Sequence, residues 1–271
     1  MKYKGSSETI LHRILTVFFI MVVPLFILSH FSLLRSRRDL SCQISGDCFS
    51  TNNELQEKSF VFLLYGEGDG ATYEHNLHSI LSQKYDRYRI VYFLPKTEEA
   101  LIEKLQLISI ATGKREAISF VQLSSPLPTI DILRKAVESC KNEEVIVQLS
   151  VTDWLAHDNV LSLLNQAYNS GENIWLTYSE YLSYPSYQKG NLQPYIKRMF
   201  ASYFHPKTPW LSSTFRTYYA GLFKQINPDF QVSHKKNLAL DSLDLYMVPM
   251  VDNAKTHIHF IKEALYIHPE Q

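Results

Sequence analysis

Phe60 to Leu94 reads FVFLLYGEGDGATYEHNLHSILSQKYDRYRIVYFL, and the order of its parts decides the fold. Residues 60–65 are a short apolar run ended by Gly66-Glu67-Gly68-Asp69-Gly70, which reads as a strand followed by a loop. Over residues 73–83, Leu77, Ile80 and Leu81 recur at helical spacing on one face. Residues 89–94 form a second apolar run, broken by Pro95.

The alternation continues downstream. The pattern predicts helices over 98–111, 129–140 (with Thr129 placed to cap it) and 159–170, and strands over 118–123, 145–149 and 174–178. Such alternation implies an α/β fold with a mainly parallel sheet and helices on both faces. Ligands of such sheets bind outside the carboxyl ends of the strands. The loops after Tyr65, Phe93 and Leu149 are therefore the expected site. The spacing Gly66-x-Gly68-x-Gly70 is not that of a dinucleotide fingerprint.

Upstream, residues 14–28 are almost unbroken apolar sequence, weakly prolonged to Leu34. A spanning helix needs ~20 apolar residues, a length reached only with that prolongation. A cleaved signal peptide is the rival reading. No small-x-small site follows, however; Arg35, Arg37 and Arg38 come instead. The expected organisation is a tail over 1–13, a single-pass membrane anchor over 14–34, a polar stalk over 35–57 and a globular domain over 58–271. Lys2, Lys4 and Arg13 balance the three later arginines, so the positive-inside rule assigns no side. Cys42 and Cys48 in the stalk are either free thiols or a small disulfide loop, and Cys140 reads as buried. Lys+Arg and Asp+Glu are equal at 27 each, which excludes a broad basic face for nucleic acid.

Four stretches, in order from Ser59 to Ile267, resemble family 2 glycosyltransferases. The first is Asn76-Leu77-His78-Ser79-Ile80-Leu81-Ser82-Gln83, continued by Tyr85-Asp86 and Tyr88-Arg89-Ile90-Val91-Tyr92. The second comprises Ser139-Cys140-Lys141, Glu144-Val145-Ile146-Val147 and Asp153-Trp154-Leu155-Ala156-His157. The third runs from Phe215 to Lys224; the fourth is Asp244-Leu245 with Val248-Pro249-Met250. The resemblance implies the GT-A nucleotide-diphospho-sugar fold and transfer of a sugar from a nucleotide-sugar donor to a hydroxyl of a glycan or other acceptor.

The resemblance also implies a divalent Mg or Mn ion, held by carboxylates after the central strand because hard cations prefer oxygen ligands. The family spelling there is Asp-x-Asp-Asp-Trp-Leu; this chain has Ser150-Val151-Thr152-Asp153-Trp154-Leu155. Two carboxylates have become hydroxyls, leaving Asp153 as the remaining metal candidate. The acidic residues after the second strand are replaced by Leu94-Pro95, and Tyr65-Gly66 stands where the family often has Tyr-Asn. The donor-binding candidates are Tyr65, Thr152, Asp153 and Arg216, with Glu67 and Asp69 of the glycine-rich loop as replacement carboxylates; Arg216 is either a phosphate partner or a structural ion pair. Asp244 is the candidate catalytic base or else a helix-start carboxylate. Two functions follow: an active transferase with a modified donor site, or a catalytically inactive binding or scaffold protein on the same fold.

Overall fold

The computed structural model describes residues 56–66, 68–95, 97–123, 129–192, 213–226 and 244–270; the side chains of Pro95, Thr129, Ile130, Asp244, Leu245, Tyr246 and Val248 are outside the description. The expected anchor, the stalk cysteines and Glu67 fall outside the described residues. Among the described residues no helix is long and apolar enough to cross a membrane.

The strands are β1 (Phe60–Tyr65), β2 (Tyr88–Pro95), β3 (Ile118–Leu123), β4 (Val145–Ser150), β5 (Trp154–Leu155), β6 (Leu176–Tyr184), β7 (Arg216–Tyr219) and β8 (Ile258–Pro269). The helices are α1 (Gly70–Leu81), α2 (Glu99–Ala111), α3 (Thr129–Glu138), α4 (Val160–Tyr168), α5 (Ala220–Lys224) and α6 (Asp244–Ala254). All eight strands join one sheet in the order β3-β2-β1-β4-β7-β6-β8-β5.

The first half follows the sequence pattern closely. Phe60, Val61, Phe62, Leu63 and Leu64 are all fully buried, as expected for a central parallel strand covered on both faces. β1 pairs in parallel with β2 and β4, and β2 with β3. Right-handed crossovers then put α1 and α2 on one face and α3 on the other. Helix α1 begins three residues before the apolar periodicity does. Asp69 supplies the cap, accepting from the Thr72 backbone N–H at 2.8 Å, so the glycine-rich run ends in a helix start. Gly66 takes φ +134°, a left-handed value that lets β1 turn out of the sheet.

The second half differs from a mainly parallel arrangement. β7 runs antiparallel to both β4 and β6, whereas β6 and β8 are parallel. The sheet is therefore mixed. Arg216, Thr217, Tyr218 and Tyr219 are all buried, so β7 lacks the period-2 alternation that marks a strand in sequence. It is held instead by a buried hydroxyl chain. The Thr217 hydroxyl lies 2.8 Å from the Tyr168 hydroxyl of α4 and 2.6 Å from that of Thr177 on β6. β6 extends to Tyr184, well past the apolar run, because β8 pairs with it along its length.

Beyond β6 the chain folds back, and Gly190 donates its N–H to the Tyr181 carbonyl at 2.9 Å. A side chain at Gly190 would be driven into the Tyr181 ring, whose position is set by Tyr266 (centroids 5.5 Å apart). Cys140, as expected, is buried; burial pushes its thiol up, and Arg89 Nη2 lies 3.2 Å from its sulfur.

The close approach at Gly190 yields a direct test. Gly190→Ala is expected to lower stability by about 1–3 kcal/mol, the usual cost of overpacking. A shift in the urea midpoint at constant slope would report it, and an unchanged midpoint would contradict the contact.

Candidate functional site: the carboxyl edge of the sheet

The carboxyl ends of β1, β2 and β4 share one edge, and the turn that leaves β4 is built by α1. Asn76 and Ser79 on that helix, with Gln83 just past its end, form a polar stripe turned towards residues 150–161. Asn76, fully buried, donates from Nδ2 to the carbonyls of Ser150 (3.1 Å) and Asp153 (2.7 Å). Its Oδ1 accepts from the Tyr92 hydroxyl at 3.0 Å. Ser79 Oγ accepts the Leu155 N–H at 3.0 Å. Gln83 donates to the His157 carbonyl (2.7 Å) and accepts from the Leu161 N–H (3.1 Å). A buried irregular turn leaves backbone groups without strand or helix partners, and these three side chains supply them.

Within this turn the Ser150 and Thr152 hydroxyls lie 2.8 Å apart, so each partners the other. Asp153 is fully buried. Its Oδ1 meets His268 Nδ1 at 2.7 Å, and its Oδ2 accepts from the Thr214 hydroxyl. A buried carboxylate needs such partners to offset lost hydration. The Asp153 hydrogen bond raises the His268 imidazole above its ordinary value, outweighing burial. His268 comes from the end of β8, and Thr214 immediately precedes Phe215 and β7. One carboxylate thus ties together three chain segments that meet at this edge.

The remaining candidates are placed as follows. Tyr65 ends β1 opposite Ser150, half-buried, and Gly66 beside it accepts a hydrogen bond from the Tyr73 hydroxyl at 2.8 Å. Arg216 is buried at the start of β7, in register with Gln148 and Tyr178. Tyr65 and Arg216 both act electrostatically on the Tyr218 hydroxyl, which burial above all holds well above its ordinary value. Asp69 is exposed and engaged as the α1 cap; its bonds to Thr72 hold its carboxyl below the usual value. Asp244 is the first residue of α6. The structure brings Tyr65, Thr152 and Asp153 to one edge, with Arg216 beneath it.

His268 and Thr214 were not among the sequence candidates. Asp153 and His268 stand 115 positions apart, which leaves no spacing signal, and they meet only in the folded chain.

The described residues do not form a divalent-metal site: they contain no group of three or more His, Cys, Asp or Glu side chains placed to hold one. Ser150 and Thr152 carry no charge, and a cation at Asp153 would have to displace His268 or Thr214.

No family model matches the sequence, and no curated protein sequence matches it. Solved structures do match. S. aureus TarS in complex with UDP-GlcNAc superposes with a TM-score of 0.55 at 14% identity, over 79% of this chain and 59% of that one. A mannosyltransferase from Pyrobaculum calidifontis, solved with GDP-Man and Mn2+, gives 0.50 at 10% identity, over 89% of this chain and 65% of that one. Glucosyl-3-phosphoglycerate synthase from Mycobacterium tuberculosis gives 0.50 at 13% identity, over 79% and 73%. The chain thus has a GT-A-like glycosyltransferase fold. It spans about 60% of the length of the TarS 1–349 chains it matches and 37% of a longer TarS chain.

Two outcomes follow from this geometry. Asn76→Ala leaves the Asp153 carbonyl and the Tyr92 hydroxyl unmet at about 1–3 kcal/mol each, while the Ser150 carbonyl keeps the Asp153 N–H, so a loss of at least about 2 kcal/mol is expected. Equilibrium urea unfolding measures it, and a loss under about 1 kcal/mol would contradict the bridge. The second concerns pH. A folded-state value above the unfolded one means that the His268–Asp153 pair stabilises fully below the ordinary histidine value. That contribution is lost as pH rises through the raised value. The stability gap between wild type and His268→Gln, followed from about pH 5 to about pH 8, is therefore expected to narrow with rising pH. A gap that widens would contradict it.

Proposed function

We propose that this chain is a membrane-anchored, glycosyltransferase-like protein that binds a nucleotide sugar at the carboxyl edge of β1, β2 and β4. Its reaction is transfer of the sugar to an acceptor hydroxyl on a glycan or another molecule. The observation that carries the reading is the shared fold: proteins with this architecture were solved with UDP-GlcNAc and with GDP-Man. In this reading Tyr65 and Thr152 face the donor, with Asp69 and Glu67 in the neighbouring loop. Arg216 stabilises the edge from below and meets the diphosphate if the edge opens. Asp244 takes the acceptor proton as the new glycosidic bond forms and the bond from the sugar to the nucleoside diphosphate breaks, the diphosphate leaving. Residues 14–34 tether the domain to a membrane.

Asp153 enters this reading through the turn that it holds. Because its carboxylate is occupied by His268 and Thr214, donor binding rests on side chains and backbone, with no step assigned to Mg or Mn. A second reading, an inactive binding or scaffold protein, draws on the same observation together with the mutually paired Ser150 and Thr152 hydroxyls.

Calorimetric titration of the full chain with UDP, GDP and their sugars, with and without Mn, separates the two. The expected result is micromolar binding of at least one nucleoside diphosphate, insensitive to Mn. Ser150→Asp/Thr152→Asp restores the carboxylates and is expected to make that binding Mn-dependent. No binding at millimolar ligand would leave the scaffold reading.

A further inference from the structure

We infer that the open groove between α1 and β5, continued by the aromatic side chains of Trp154, Tyr184 and Tyr187, binds an uncharged saccharide chain. This deepens the reading above, since it assigns the acceptor class, and it rests on that reading for the reaction but not for the binding.

The groove has a volume of about 640 Å³ and is open to solvent along its length. Its wall on the α1 side carries Glu74, His75 and His78; its other wall carries Trp154 and residues 155–158. Trp154 does not sit in the core. Its ring meets His75 edge-on at 4.4 Å between centroids and Tyr184 at 5.5 Å. Tyr184 in turn meets Tyr187 at 5.8 Å and 90°. Tyr184 is 44% exposed and Tyr187 57%, among the few large apolar side chains open to water. Four rings thus touch edge to face in succession from α1 to the fold-back beyond β6, Trp154 half-buried and the other three exposed.

Three features specify the occupant. Flat aromatic faces in water match the C–H faces of pyranose rings, and the flanking His, Ser and carboxylate groups match their hydroxyls. No Lys or Arg lines the groove, while Glu74 and Asp158 do. Lys104 and Lys84 already pair with those two carboxylates, so the lining offers a phosphate-bearing or uronic-acid chain no cation to bind, and the saccharide is neutral. The groove also leads to the proposed site: Trp154 follows Asp153 directly, so a chain lying along β5 ends beside the turn after β4.

Most of the track belongs to no other structural task. Of the α1 residues that line the groove, Ser79 also builds the β4 turn, whereas His75 and His78 take no part in it.

The test is titration of the full chain with chitohexaose, cellohexaose and mannohexaose, and with hexagalacturonate as the anionic control, followed by tryptophan fluorescence. At least one neutral hexasaccharide is expected to bind and to change the tryptophan emission, a change absent in Trp154→Ala, with hexagalacturonate at least about tenfold weaker. Tyr187→Ala and Tyr184→Ala, at exposed positions, are each expected to weaken binding about threefold to tenfold, as expected for loss of one ring contact. Trp154→Ala is expected to abolish it. No binding of any neutral hexasaccharide, tighter binding of the anionic one, or binding indifferent to both tyrosine variants would overturn the inference. The nucleotide titration separates the two proposals. Saccharide binding without nucleotide binding keeps the groove and removes the transferase reading, and the reverse removes the groove.

Discussion

The structure depends most on the hydrogen bonds that Asn76 makes from the middle of α1 to the turn after β4. A turn that leaves a central strand and stays largely buried presents carbonyls whose hydrogen bonds must come from within the protein. Asn76 bonds two of those carbonyls while Tyr92 of the neighbouring strand satisfies its own oxygen. One amide therefore fixes β2, α1 and β4 relative to each other at the edge where the ligand is proposed to bind. Ser79 and Gln83 extend the same device along the helix. The positions of Ser150, Thr152 and Asp153 are consequences of that stripe.

This gives a physical meaning to the stretch Asn76–Gln83, which in sequence stood out as a resemblance. Its apolar members, Leu77, Ile80 and Leu81, face the core, and its polar members serve a backbone far away in sequence. Both sets were visible as letters. The periodicity of the apolar set named the helix, but nothing local could say that Asn76 would meet Ser150 across 74 residues.

The same division runs through the molecule. β1 to β4 and the helices between them were legible because each carries an apolar run or an apolar face bounded by a turn residue. β7 was not, since Arg216 and Thr217 leave it no apolar run, and the antiparallel joint it makes turns a parallel expectation into a mixed sheet. At the site the loss of two carboxylates was evident from Ser150 and Thr152. The engagement of Asp153 was not, because His268 and Thr214 reach it only after β8 and the segment before β7 have assembled. Local chemistry can be read from spacing; a partner supplied by a distant strand cannot.

Cys140 carries a different consequence. Its thiol is buried and held in the protonated form, which neither alkylates nor oxidises readily, and it is the single cysteine among the described residues. It sits where the chain leaves α3 for the central strand β4, bonded to the Ala136 carbonyl and beside Arg89 of β2. Modification there must wait for those elements to separate. The rate at which a small thiol reagent reaches this sulfur is thus a clock for opening of the central sheet, built into the chain without any added label.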